Sequence, residues 1–98
     1  MKPVSRAVDR LLRGLGIAAD VARADAVDRW PAAATAVFGP DGATTTAVAV
    51  DGATLIVAVP SSAWASEVRL RERELVAALE TSAPRSGIRR VRTIPASR

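Results

Sequence analysis

The sequence predicts an α+β fold in which a three-stranded mixed sheet packs against helices. Apolar residues recur at helical spacing up to residue 38 and again after residue 62. Short strand-like segments flank residue 52, and a third lies near the end of the chain. The predicted order is α-α-β-β-α-β. Two strands joined by a tight turn pair antiparallel, and a third strand reached through a helix adds a parallel pair. The 98 residues suffice for one domain over 1–98, with a core over about residues 4–94 and a short basic end at 95–98.

The first predicted helix, over residues 4–15, has an apolar stripe at positions i, i+4, i+7, i+8 and i+11. Three arginines lie on the opposite side, because a rotation of 100° per residue places them within about 60° of one another. Asp9 is adjacent to them, so a solvated polar face is the favoured interpretation and a secondary phosphate-binding face is the alternative. These arginines are Arg6, Arg10 and Arg13.

The second helical segment, over residues 17–38, has an apolar stripe interrupted by a proline. Pro31 removes a backbone N–H and disfavours helical geometry at the residue before it, so we expect a kink or a restart at Trp30. Trp30 itself lies on the stripe, where a large ring usually packs inward. We therefore predict that Trp30 anchors the core.

Two strands are predicted over residues 44–50 and 54–59. The pair Asp51-Gly52 between them is a hairpin signal, and Ala53 makes the predicted loop slightly longer than the minimal type. Alternate residues of the second strand are expected to face the core together. These residues are Leu55, Val57 and Val59.

A helix is predicted over residues 62–81. Pro60 ends the preceding strand, and Ser61 and Ser62 can cap the helix. Four large apolar residues lie within about 60° of arc and form a narrow buried stripe, which we expect to anchor the helix on the sheet. Leu70 falls on the opposite side. The stripe consists of Trp64, Val68, Leu75 and Leu79.

The last predicted strand, over residues 88–94, alternates between apolar and basic residues. Val91 and Thr93 are expected to face the helices. Arg90 and Arg92 then face outward.

The chain has 14 basic and 10 acidic residues, a net charge of +4, and the excess lies at one end. From Arg85 to Arg98 there are five arginines and no acidic residue. Clustered arginine is the electrostatic pattern expected of a nucleic-acid-binding protein, and a solvated basic tail is the alternative.

Composition excludes several classes of protein. The chain has no Cys and no His, which argues against disulfides, thiolate metal sites, nucleophilic triads and zinc hydrolases. The acidic residues are scattered, and no Walker motif is present, so we expect no enzyme activity, no metal, no cofactor and no small-molecule substrate. No apolar run is long enough for a membrane span or a signal peptide, so a cytoplasmic protein is expected.

The stretch from Val50 to Val68 resembles the central part of the sequence pattern of the DciA family, which consists of bacterial proteins associated with the replicative helicase. The shared features are a D-G turn, an L-x-V-x-V strand and an S-S-A-W-A segment that opens a helix. Upstream, Trp30-Pro31 resembles the W-P of the family, and downstream residues 88–92 resemble its closing basic strand. Arg71 takes a position that is commonly apolar. The motif positions are Trp30, Asp51, Gly52, Ser61, Ser62 and Trp64.

The resemblance implies a KH-like domain, similar to type II, that binds DNA and assists recruitment or loading of a DnaB-type helicase without hydrolysing nucleotide. The Gly-Pro-Asp-Gly segment at 39–42 has the GXXG spacing of a KH clamp, but it precedes a strand, Pro40 lacks an amide donor and Asp41 would repel phosphate. We predict an ordinary turn there. Family members often carry a disordered basic extension, and here only residues 95–98 follow the last strand, so the sequence favours DNA binding over helicase engagement.

On this hypothesis the basic end contacts phosphates of single- or double-stranded DNA with weak sequence preference. Two alternatives stay open: a KH-like module that binds RNA, and a protein-interaction domain without nucleic-acid binding. The predicted DNA-binding residues are Arg85, Arg89, Arg90, Arg92 and Arg98.

Overall fold

The computed structural model describes residues 18–96 and confirms an α+β fold, in which a three-stranded mixed sheet packs against helices. The predicted first helix at 4–15 lies outside the described residues. The elements are α1 (Ala18–Phe38), a 3₁₀ helix η1 (Gly39–Thr44), β1 (Thr46–Asp51), β2 (Thr54–Val59), α2 (Ser62–Leu70), α3 (Glu72–Ser82) and β3 (Arg90–Pro95). This arrangement is consistent with a KH-like fold.

The sheet has the order β1-β2-β3, with β1 and β2 antiparallel and β2 and β3 parallel. The hairpin loop contains only Gly52 and Ala53, because Asp51 pairs with Thr54. The prediction of a longer loop is therefore wrong. Gly52 has a φ of +61° while Ala53 has a negative φ, the pattern of a type II′ turn, in which a glycine occupies the first loop position.

The helices described within residues 18–96 cover one face of the sheet, and the opposite face is here called the open face. Leu55, Val57 and Val59 of β2 are buried in the core, whereas the alternating residues of the same strand are only half-buried. Since paired residues of neighbouring strands share a face, Val91 and Thr93 of β3 lie on the covered side, as predicted from their alternation.

Each described α-helix contributes to the core on the covered face. Helix α1 contributes Trp30, α2 contributes Val68, and α3 contributes Leu75 and Leu79. All four side chains are fully buried. The apolar stripes predicted within residues 17–38 and 62–81 therefore meet over the sheet. Trp64, the remaining member of the stripe predicted over residues 62–81, is half-buried at the margin of this core.

Of the kink or restart predicted at Trp30, the restart is wrong, because helix α1 is continuous through Pro31. Trp30, Ala33 and Ala34 are all buried around the proline, whereas Pro31 is exposed. Burial on both sides of Pro31 keeps the two halves of the helix on the core, and this packing outweighs the loss of one backbone hydrogen bond.

The single helix predicted over 62–81 is instead two helices separated at Arg71, whose φ and ψ are −107° and 18°. Its guanidinium lies 6.0 Å from the centre of the Phe38 ring and 3.6 Å from a carboxylate oxygen of Glu74. Nη1 donates to the carbonyl of Val37 at 3.4 Å. These contacts hold the α2–α3 junction against the end of α1, which explains how an arginine is accommodated at this position.

Gly42, in η1, is a position where any side chain would collide with α1. A Cβ placed there would come within 2.5 Å of the carbonyl oxygen of Ala34. We expect Gly42→Ala to destabilise the protein by about 1–3 kcal/mol through overpacking, measured as a lower midpoint in urea unfolding. Ala43→Ser, at the exposed neighbouring position, is the control. An unchanged midpoint for Gly42→Ala would show that α1 can shift from η1 without cost.

Candidate nucleic-acid interface

The open face of the sheet consists of the outward-facing residues of all three strands. Rows of paired residues cross it: Asp51, Thr54 and Arg90 form one row, and Ile56 and Arg92 share the next. The helices of residues 18–96 pack against the covered side, and none of the open-face residues is aromatic. The open face comprises Thr46, Ala49, Asp51, Thr54, Ile56, Ala58, Arg90, Arg92 and Ile94.

Arg90 and Arg92 lie together on this face. Both are exposed, and they are two residues apart on one strand, which separates their Cα atoms by about 6.6 Å. Among the described side chains of residues 24–96, the ion pairs shorter than 4.0 Å join Arg29 to Asp25 and Arg71 to Glu74, and neither open-face arginine takes part in one. Their guanidinium groups, with five N–H donors each, are therefore available to an anionic ligand.

Hydrogen bonds on both sides hold the backbone under these arginines. The amides of Arg89 and Arg90 donate to the carbonyl of Ala53 at 2.7 and 3.1 Å. On the outer edge of β3, the amide of Val91 donates to Oε2 of Glu72 at 2.9 Å. Pro95 has no amide to offer at that edge, so β3 is poorly suited to pairing with a further strand.

Two of the other predicted arginines, Arg89 and Arg85, are described and do not lie on the open face. Arg89 borders a groove beside α3 that is also lined by Glu72 and Glu80. Arg85 is exposed in the loop between α3 and β3. Arg98 and the row of Arg6, Arg10 and Arg13 lie outside the described residues. The structure thus brings Arg90 and Arg92 together, with Arg89 next to them along the chain.

The S-S-A-W-A segment begins helix α2. The side chain of Ser61 is the N-cap and accepts a hydrogen bond from the amide of Trp64 at 3.2 Å, and Ser62 is the exposed first residue of the helix. The Trp64 ring meets Phe38 edge-on, with centroids 5.0 Å apart and planes at 84°. The contacts of this segment join α2 to α1 and do not reach the open face.

Glu72 is the residue of this site that sequence reasoning did not single out. Its hydrogen bond to Val91 joins positions 19 residues apart, and its helical spacing is that of an ordinary surface residue. The D-G turn pattern of the sequence identifies Asp51, and the structure also places it in the same row of the open face as Arg90. Both relationships depend on the pairing of distant segments.

The part of the chain that the structure describes has neither a group of three acidic residues that could hold a metal ion nor a helix long and apolar enough to cross a bilayer. The described elements define a KH-like α+β domain whose exposed sheet face carries a pair of arginines.

A family model described as Dna[CI] antecedent, DciA, matches residues 3–93, and the chain belongs to the DciA family. A comparison with the curated proteins finds no match. The DciA family is a family of helicase accessory proteins. Membership links the chain to bacterial DNA replication and to loading of the replicative helicase, DnaB.

Proposed function

We propose that this protein is a non-enzymatic DNA-binding accessory of the replicative helicase and that its DNA site is centred on the open face. The observation that supports this proposal is the pair Arg90 and Arg92, exposed and free of ion pairs among the described residues. Residues 83–96 contain four arginines and no acidic residue, whereas residues 62–82 contain three arginines and four glutamates. The positive charge is thus concentrated around β3.

The guanidinium groups of Arg90 and Arg92 would bind phosphate oxygens, with Arg89 and Arg85 extending the contact along the chain. Each neutralised phosphate releases counterions, which drives binding at low salt. Phosphate contacts carry no information about base sequence, so selectivity is weak. Without aromatic residues on the open face, stacking on bases contributes little. A different surface meets the helicase in the cytoplasm, and the protein holds DNA beside it without performing chemistry of its own.

Titration of labelled single- and double-stranded DNA at 50 and 200 mM salt tests this proposal. With two to three neutralised phosphates, we expect duplex affinity to fall roughly 10- to 40-fold between these salt concentrations. Fluorescence anisotropy reports the affinity. Adding the purified replicative helicase should give a larger complex on the same DNA.

RNA of matched length and sequence is the comparison ligand. Binding to RNA alone would favour an RNA-binding module. Absent or salt-independent DNA binding would contradict the electrostatic mechanism, and binding of helicase without DNA would then identify a protein-interaction domain.

A further inference from the structure

Glu72 is a carboxylate placed at the edge of the proposed DNA site. It is the first residue of α3 and is half-buried. It borders the groove lined by Arg89 and Arg90, and also a second groove lined by Asp51, Arg90 and Arg92. A negative charge therefore lies beside the basic pair on the outer side of β3.

A backbone amide holds the carboxylate of Glu72 in place. Oε2 accepts from the amide of Val91 at 2.9 Å, and no arginine among the described side chains of residues 24–96 forms an ion pair with Glu72 within 4.0 Å. A hydrogen bond to an ionised acceptor is stronger than a hydrogen bond between two neutral groups. The hydrogen bond from Val91 to Glu72 fixes the strand between Arg90 and Arg92 to the start of α3. Both guanidinium groups stay exposed.

The position of Glu72 has two opposing consequences for an anionic ligand. The hydrogen bond to Val91 keeps the two arginines on one rigid strand, which favours binding. Its charge repels a phosphate on the neighbouring arginines, which disfavours binding. Asp51, in the same row of the open face as Arg90, adds to the repulsion.

We propose that Glu72 is a positioning residue of the DNA site that orders β3 through its hydrogen bond and limits the affinity through its charge. This inference rests on the proposed function.

Two substitutions separate these effects. Glu72→Gln keeps an oxygen acceptor for Val91 and removes the charge, so we expect about two- to fivefold tighter DNA binding at 50 mM salt. Glu72→Ala also removes the charge but leaves the Val91 amide without its acceptor. We expect it to bind less tightly than Glu72→Gln and to lose protection of the Val91 amide against hydrogen exchange.

Glu67→Gln is the matched control. Glu67 is exposed on α2 and lines neither of the two grooves around Arg90, so its substitution changes the net charge equally without altering the site. We expect its DNA affinity to stay close to that of the unmodified protein. An equal gain in both glutamine variants would show a general charge effect and overturn the inference.

The inference would also be overturned if the Glu72→Gln variant bound DNA no tighter than the unmodified protein. The same holds if the Glu72→Ala variant bound DNA as tightly as the Glu72→Gln variant. In either case, loss of binding in a variant lacking Arg90 and Arg92 would leave the proposed function intact. If the unmodified protein itself shows no salt-dependent DNA binding, the proposed function fails and the inference fails with it.

Discussion

Replacing Arg90 and Arg92 together with serine is expected to weaken DNA binding about 30-fold at 50 mM salt. Each exposed guanidinium–phosphate contact should contribute about 1 kcal/mol after solvent screening, and the two losses add. The dependence of log affinity on log salt should become shallower by nearly 2, since two fewer phosphates are neutralised. Both side chains are exposed on the open face, so the fold should be retained.

The control for this variant removes the same charge elsewhere. Arg29, paired with Asp25 at 3.5 Å, and Arg69 are both exposed on helices that pack against the covered side of the sheet. The double variant Arg29→Ser and Arg69→Ser should keep most of the affinity and most of the salt dependence. Equal weakening in the two double variants would mean that binding follows net charge, and it would rule out a site on the open face. Urea unfolding of both variants verifies that stability is unchanged.

Trp30→Ala is expected to have the largest effect on stability. The indole is fully buried, and its Nε1 donates to Oγ1 of Thr45 at 3.0 Å. Thr45 in turn donates to the carbonyl of Gly42 at 2.7 Å, so the substitution creates a cavity and removes one partner from a buried hydrogen-bond chain. We expect a loss of about 3–5 kcal/mol. Since domains are stable by about 5–15 kcal/mol, this loss would remove a large fraction of the free energy of unfolding.

Trp30→Phe separates the volume of the ring from its hydrogen bond. The phenyl ring fills most of the space but offers no donor to Thr45, so we expect a smaller loss, about 1–3 kcal/mol. Urea unfolding followed by circular dichroism measures both variants. Fluorescence of the remaining Trp64 reports whether α2 and α1 separate in the same transition, because its ring contacts Phe38. Equal midpoints for Trp30→Ala and the unmodified protein would contradict the role of Trp30 as a core anchor.

Much of the site could be predicted from local patterns. Alternation along a strand has a period of two, so the positions of Val91 and Thr93 on the covered side follow from the sequence once the segment is assigned to a strand. The outward positions of Arg90 and Arg92 follow in the same way. The N-cap at Ser61 is equally local, because its partner is the amide three residues along the chain. The described structure agrees with these expectations.

Other features could not be predicted, because they depend on residues far apart in the sequence. Pro31 has the local chemistry of a helix breaker, yet packing of Trp30 and Ala34 keeps α1 continuous. The interruption at Arg71 coincides with contacts to Phe38 and Val37 of another helix. Neither outcome is visible from propensity, since the deciding contacts form only when the helices have assembled.

The sequence by itself determined the α+β class, the antiparallel hairpin and the concentration of arginine at one end of the chain, because periodicity, turn chemistry and charge are properties of short segments. Only the tertiary structure decided that Glu72 meets Val91 and that Gly42 lies against Ala34. It likewise placed Asp51 in one row with Arg90. The physical reason is the same in each case: a hydrogen bond, a close approach or a repulsion depends on distance in space, and folding alone brings these distant residues together.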